Sequence, residues 1–201
     1  MNMKLMMNNG NELSTYNPNS KWDWYEIGGR WRDMLLVRKN VEDCITGRPM
    51  LEELFDRECK KKDCIDGYKW CNGAKIKDID FKKTMEIKNT YNKAIRFWET
   101  YVEGQEPKTK EEKEDIEFEL YKKEYYIERY ETKENYAKMQ STFSCWALLD
   151  ETGWHEKGKM GWWGMDNSTK DSEQLFLEKF TETINKSENQ DKYLIIVDCH
   201  I

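Results

Sequence analysis

Proline and histidine are nearly missing from this chain, which has three prolines and two histidines in 201 residues. Scarce proline leaves helices few obstacles. Two histidines, His155 and His200, leave little room for imidazole chemistry. No apolar run approaches the roughly 20 residues of a membrane-spanning helix, so no membrane partner is expected. The first fourteen residues, MNMKLMMNNGNELS, are too short and too polar for a secretory core, which points to a cytoplasmic protein. There is no phosphate-cradling P-loop, no G-x-S-x-G, no H-E-x-x-H and no dinucleotide glycine fingerprint, and their absence disfavours the common enzyme classes. Positive charge is not in excess either. The 33 Lys and Arg against 39 Asp and Glu give a net charge of −6, which argues against direct binding of duplex nucleic acid.

What the chain does have is aromatic surface: nine tryptophans, eleven tyrosines and seven phenylalanines. Disordered chains are poor in these residues, and each buried one removes roughly 150–250 Å² from water, so a compact core is expected despite 36% charged residues. Alternation predicts a strand over 22–27, a Gly28-Gly29 turn and a second extended run centred on 34–37. Steps of three and four through Ile87, Tyr91, Ala94 or Ile95, Trp98 and Val102 predict a helix that Gly104 and Pro107 end. A second helix, rich in Glu and Lys, follows, with Ile116, Leu120, Ile127 and Tyr130 as its apolar positions and Phe118, Tyr121 and Tyr125 beside them. Residues 99–134 carry 13 acidic and 7 basic side chains, a net −6. A strand over 141–150, a turn at Glu151-Thr152-Gly153, a hairpin about Lys157-Gly158, and a helix capped by Ser168 or Thr169 come next. That helix buries Leu175, Phe176, Phe180 and Ile184, and a final strand, KYLIIVDCHI, reads as central and buried on both faces.

The sum is a single α+β domain over 1–201. An antiparallel sheet with ferredoxin-like elements packs against helices, and a long charged helical hairpin is inserted between strands. Its parts are a flexible lead (1–15), a Cys-rich insertion (39–77), the helical hairpin (82–140), and a closing β-hairpin, helix and strand (141–201).

Several clusters could carry chemistry. Trp22 and Trp24 share one strand face, and with Arg30, Arg32 and the Trp162-Trp163 pair they could stack on a base or partner side chain and hold a phosphate or carboxylate. The structural alternative places tryptophans such as Trp22 and Trp31 in the core and holds Arg30 on Asp23 or Glu26. Glu111, Glu112, Glu114 and Asp115 head the acidic helix. Its charge is either a solvated face or a partner surface competing for a basic, nucleic-acid-binding channel. Cys59, Cys64 and Cys71, with Cys44 upstream, are spaced C-x4-C-x6-C and lack the paired C-x2-C of structural zinc sites, so zinc is a weak candidate beside free thiols and no cofactor is expected. Cys145 or Cys199 with His155 or His200 would make a nucleophile–base pair, although Cys199 and His200 point to opposite strand faces. Asp78, Asp80 and Asp198 could gather around a divalent ion or serve as caps.

Two stretches, NPNSKWDWYEIGGRW at 17–31 and GKMGWWGM…YLIIVDCHI at 158–201, together with DIDF at 78–81, carry a resemblance. The chain resembles an uncharacterised group of phage, prophage and bacterial proteins that share an N-P-x-S-K-W-D-W-Y-x-I-G-G-R-W run, a D-[IV]-D-F segment and a V-D-C-H-I end. The Cys-rich and Glu/Lys-rich segments look like local elaborations of that pattern. The resemblance transfers no activity, but it implies a mobile-element setting. Small acidic proteins there often bind and block a host factor, anti-CRISPR and other anti-defence proteins included. The expectation is a non-enzymatic accessory protein that inhibits a host protein or a defence nucleoprotein complex. The alternative is a nucleotide-binding or nucleotide-processing domain built on the tryptophan and arginine surface.

Overall fold

The three consecutive apolar residues Leu35, Leu36 and Val37 are fully buried, and Leu35 and Val37 belong to the main core. The structure is a computed structural model that describes residues 6–7, 13–14, 24–46, 65–161 and 166–200. Strand β1 (Met6–Met7) pairs with β2 (Leu13–Ser14) inside the span expected to be a flexible lead; the rest of that lead lies outside the described residues. Strand β3 (Trp24–Ile27) pairs antiparallel with β10 (Val197–His200), and β4 (Leu35–Arg38) pairs with β5 (Tyr68–Cys71). Strand β6 (Gly73–Lys75) pairs with β9 (Tyr193–Ile195). Only Asn72 separates β5 from β6, and only Ile196 separates β9 from β10. The Ile196 N–H donates to the Asn72 carbonyl at 2.7 Å. Pairing therefore runs without a gap from β4 through β5–β6 and β9–β10 to β3, which makes the two ends of the chain sheet neighbours.

The glycine turn after β3 does not close a hairpin. It runs through a 3-10 turn (Gly29–Trp31) and sends the chain to a different partner, so β3 and β4 lie at opposite ends of this pairing order. Residues 68–75, expected within the Cys-rich insertion, form two central strands. The final strand has one buried face: Leu194 and Ile196 pack on the core, whereas Tyr193, Ile195 and Val197 are exposed. A continuous apolar run thus does not establish a two-sided strand, because its alternate residues here face solvent. The other hairpin joins β7 (Ala147–Asp150) to β8 (Gly153–Glu156) around Glu151 and Thr152, at the turn expected over 151–153.

One core gathers Leu35, Val37, Cys71, Ala74, Ile79, Phe143, Leu148, Phe176 and Phe180. Phe176 and Phe180 come from α6 (Lys170–Asn185). Thr169 caps that helix, and Ser172 returns the bond to complete a capping box. Ile184 packs partly against the core, but Leu175 of the expected stripe is exposed.

Between β6 and β7 the charged helical excursion is present but divided into α1 (Phe81–Lys88), α2 (Thr90–Phe97), α3 (Lys110–Glu117), α4 (Lys123–Tyr130) and α5 (Lys133–Gln140). The divisions have local causes. Asn89 adopts a left-handed conformation between α1 and α2, Gly104 has φ +77° after a π-helical turn (Trp98–Val102), and Glu131 has positive φ between α4 and α5. Side chains that a straight helix would align therefore rotate apart. Phe118, Leu120 and Ile127 face solvent, while Trp98, Tyr126 and Tyr130 form a second core edged by Phe97, Tyr101, Tyr121, Tyr125 and Tyr136.

This helical unit is not a free arm. Arg129 of α4 is buried, and it donates through Nε and Nη2 to Glu173 of α6 at 3.1 and 3.0 Å and through Nη1 to the Ser168 carbonyl at 3.0 Å. Lys157 also approaches Glu173, at 3.8 Å. Removing one side of a buried ion pair leaves the other desolvated and unpaired. Arg129→Ala is expected to cost about 3 kcal/mol, measured by urea unfolding. A loss no larger than that of an exposed lysine variant would mean the clip is not holding the two cores together.

Candidate functional site

The Gly28-Gly29-Arg30 run forms a crossing between the sheet's two ends. Asp198 of β10 is 2% exposed, and its carboxylate accepts the Arg30 backbone N–H at 2.8 Å, Nε at 2.9 Å and Nη2 at 2.7 Å. This charge-assisted grip raises the Arg30 pKa further. A Cβ on Gly29 would sit 2.5 Å from the Asp198 Cβ, and one on Gly28 would sit 2.6 Å from the Asn72 amide nitrogen; both glycines also have positive φ. Asn72 is fully buried and accepts the Asp33 N–H at 2.5 Å. The glycine pair is thus required by close approach as well as by backbone conformation. Arg30 is held by a carboxylate, as the structural alternative anticipated, but by Asp198 and not by Asp23 or Glu26.

Asp198 takes the Nε–Nη2 edge of the Arg30 guanidinium and neutralises its charge, which weakens Arg30 as the centre of an anion pocket. Arg32 is half-buried and engaged within the chain. Trp31 is 57% exposed, a correction to its expected place in the core. Trp22, Trp162, Trp163 and the Trp24 side chain lie outside the described residues.

The remaining chemical candidates resolve into separate structural roles. Burial pushes the Cys71 thiol up to about 11 and the Cys145 thiol up to about 12, far from the range of an activated nucleophile. The Cys145 thiol donates to the Ala147 carbonyl, and burial also raises Cys199. His155 Nε2 lies 2.8 Å from the Thr152 hydroxyl and 3.1 Å from Asp150, closing the β7–β8 turn. Cys59, Cys64 and the His200 side chain lie outside the described residues. Among the described residues no three His, Cys, Asp or Glu side chains converge as metal ligands. The three aspartates do not gather: Asp80 caps α1, accepting the Lys83 N–H and the Tyr68 hydroxyl at 2.9 Å each, while Asp198 holds Arg30.

The acidic residues divide in the same manner. Glu112 is structural: it takes Arg96 at 3.2 Å and the Lys108 N–H at 2.7 Å, and Arg96 also binds Glu99 at 2.6 Å. Glu111 pairs with Lys93 at 2.7 Å, and Glu114 with Lys110 at 3.1 Å, both at the surface. Asp115 lies on the rim of a cleft of about 200 Å³ between α2 and α3, lined also by Asn89, Asn92, Lys93 and Arg96. Partial burial and then neighbouring Glu111 raise its carboxyl pKa, the mark of a carboxylate short of positive partners. Glu111, Asp115 and Phe118 follow one helical row, so this acidic face leads to an exposed phenylalanine. Expecting Phe118 and Leu120 in the core hid this feature; the alternation E-F-E-L at 117–120 was its only signal.

Two consequences are measurable. Gly29→Ala and Asp198→Ala should each destabilise the fold by about 2–4 kcal/mol in urea, and Arg30→Ala by about 1–3 because its side chain is solvent-screened. Equal, negligible losses would show that the crossing carries no load. Burial pushes the Asp150 carboxyl up, but Thr152, His155 and Lys179 outweigh it and hold it well below the usual carboxylate range. A depressed folded-state pKa contributes stability that is complete above the unfolded value near 4 and drains away as pH falls through the folded one. Stability should therefore drop between about pH 4 and pH 2, and Asp150→Asn should flatten part of that drop in pH-dependent denaturation.

With this geometry in view, comparison with protein-family models, with curated proteins and with solved structures finds no match for the chain.

Proposed function

We propose that this chain is a non-enzymatic binding protein that meets a positively charged protein surface through α3 and the segment leading into α4. The observation that carries the reading is the charge of residues 111–121, six carboxylates against one lysine, with Glu111, Glu114, Asp115 and Glu117 on the surface of a unit anchored by its own aromatic core and by Arg129. Opposite charge on a partner would speed encounter and fix orientation. In the phage or prophage setting that the resemblance implies, the partner is a host protein or a CRISPR-type defence complex in the host cytoplasm. Occupying a basic channel there would block nucleic-acid entry. The nucleotide reading is weakened because Arg30, its proposed phosphate contact, is already engaged by Asp198. No helix among the described residues is long and apolar enough to cross a membrane.

The test is affinity capture from a bacterial lysate with the wild-type chain and a Glu111→Lys/Glu114→Lys/Glu117→Lys variant. These side chains lie at the surface, and exposed ion pairs contribute only about 0–1 kcal/mol, so the variant should fold. The captured protein should be lost from the variant and should elute from wild type as salt rises. Retention of the same partner by the variant would eliminate the proposal.

A further inference from the structure

The link between α3 and α4 has its usual polarity reversed. Glu119 is half-buried: its carboxylate accepts the Tyr121 N–H at 2.8 Å, and after burial itself it is the next cause that raises the pKa of buried Tyr126. The Tyr101 hydroxyl donates to the Tyr121 carbonyl at 2.5 Å, fastening the same link to the π-helical turn. On either side of this half-buried glutamate, Phe118 and Leu120 are 75% and 73% exposed, the most exposed large apolar side chains among those described. A collapsing chain left to hydrophobic burial alone would turn these two residues inward and the glutamate outward. The two bonds at Tyr121, from its N–H to Glu119 and to its carbonyl from Tyr101, hold the opposite arrangement.

We propose that Phe118 and Leu120 form a preorganised apolar anchor that inserts into a hydrophobic pocket ringed by lysine or arginine on a partner protein. This rests on the acidic-surface reading above and names the feature that the partner must present. Charge complementarity selects that occupant. Glu114, Asp115 and Glu117 precede the anchor and Lys122, Lys123 and Glu124 follow it, so the acidic side of the anchor is the α3 side, where Asp115 has no cation within ion-pair distance among the described residues. The same carboxylates would repel an anionic bilayer and a second copy of this acidic face. Because the link is already fixed, little conformational entropy is lost on docking, and two apolar side chains can act as the binding hot spot.

The experiment uses the full chain and two synthetic probes of equal charge, measured by titration calorimetry in about 0.15 M salt. One is a 15-residue leucine–lysine peptide with helical apolar spacing; the other replaces every leucine with serine. The wild-type chain should bind the leucine–lysine peptide roughly tenfold or more tightly than the serine–lysine peptide. Phe118→Ser/Leu120→Ser should abolish that difference while keeping weak binding to both. Its melting temperature should not fall, since neither side chain is buried. If the double variant binds the leucine–lysine peptide as wild type does, the anchor is wrong. If wild type binds both peptides equally, the anchor falls while the acidic-surface reading stands. If wild type binds neither, both fall.

Discussion

A single buried carboxylate organises the sheet. Asp198 arrives on the last strand with almost no access to water, where an uncompensated charge is untenable. Three N–H donors from Arg30 meet it, one from the backbone and two from the guanidinium. Those donors can reach it only if the chain after β3 passes against the Asp198 and Asn72 side chains, which leaves no room for a Cβ at residues 28 and 29. Much else follows from this contact. The first long strand must lie beside the last, the chain must turn away after Ile27, and β4 must find its partner in β5 and not in β3.

The second organising contact has the opposite sign. Arg129 brings a buried cation from the helical unit to the start of α6, where Glu173 and the carbonyls of Ser168 and Thr169 receive it. Tyr125 and Tyr130 place their rings near the same guanidinium. The tyrosine-rich core and the phenylalanine-rich core are therefore joined by a polar clip and not by a continuous apolar seam. The exposed charges of α3 project from a braced unit, so the charged excursion is a fixed surface and not a loose tether.

The class of the fold was legible in the sequence, as were β3, β4, the two-part hairpin after residue 146, and α6 with its Thr169 cap. Each rests on local signals: period-two alternation, a turn, a capping residue. What escaped is what depends on distant partners. Nothing near Gly28-Gly29 announces Asp198, 168 residues beyond Arg30. Helical periodicity over 110–130 predicted a stripe through Ile116, Leu120, Ile127 and Tyr130 with Phe118, Tyr121 and Tyr125 beside it; the tyrosines do pack inward, but breaks near Phe118 and at Glu131 leave Phe118, Leu120 and Ile127 outside. Among the candidate site residues, Glu111, Glu114 and Asp115 remain on the surface where composition placed them. Glu112 and Arg30 proved to be consumed by internal ion pairs, a distinction that only three-dimensional neighbours reveal.

That distinction bears on function. Charge alone is a weak guide to a binding surface, because most surface carboxylates are simply solvated. The α3–α4 link adds a cost that solvation does not explain. Exposing Phe118 and Leu120 forfeits the burial of two large side chains while the half-buried Glu119 lies between them. A fold that keeps two apolar side chains in solvent, and fastens the link that carries them with the Tyr101 hydroxyl, has the signature of a local conflict tolerated at a functional site. The acidic helices supply long-range attraction, and the apolar pair supplies short-range contact that attraction alone cannot.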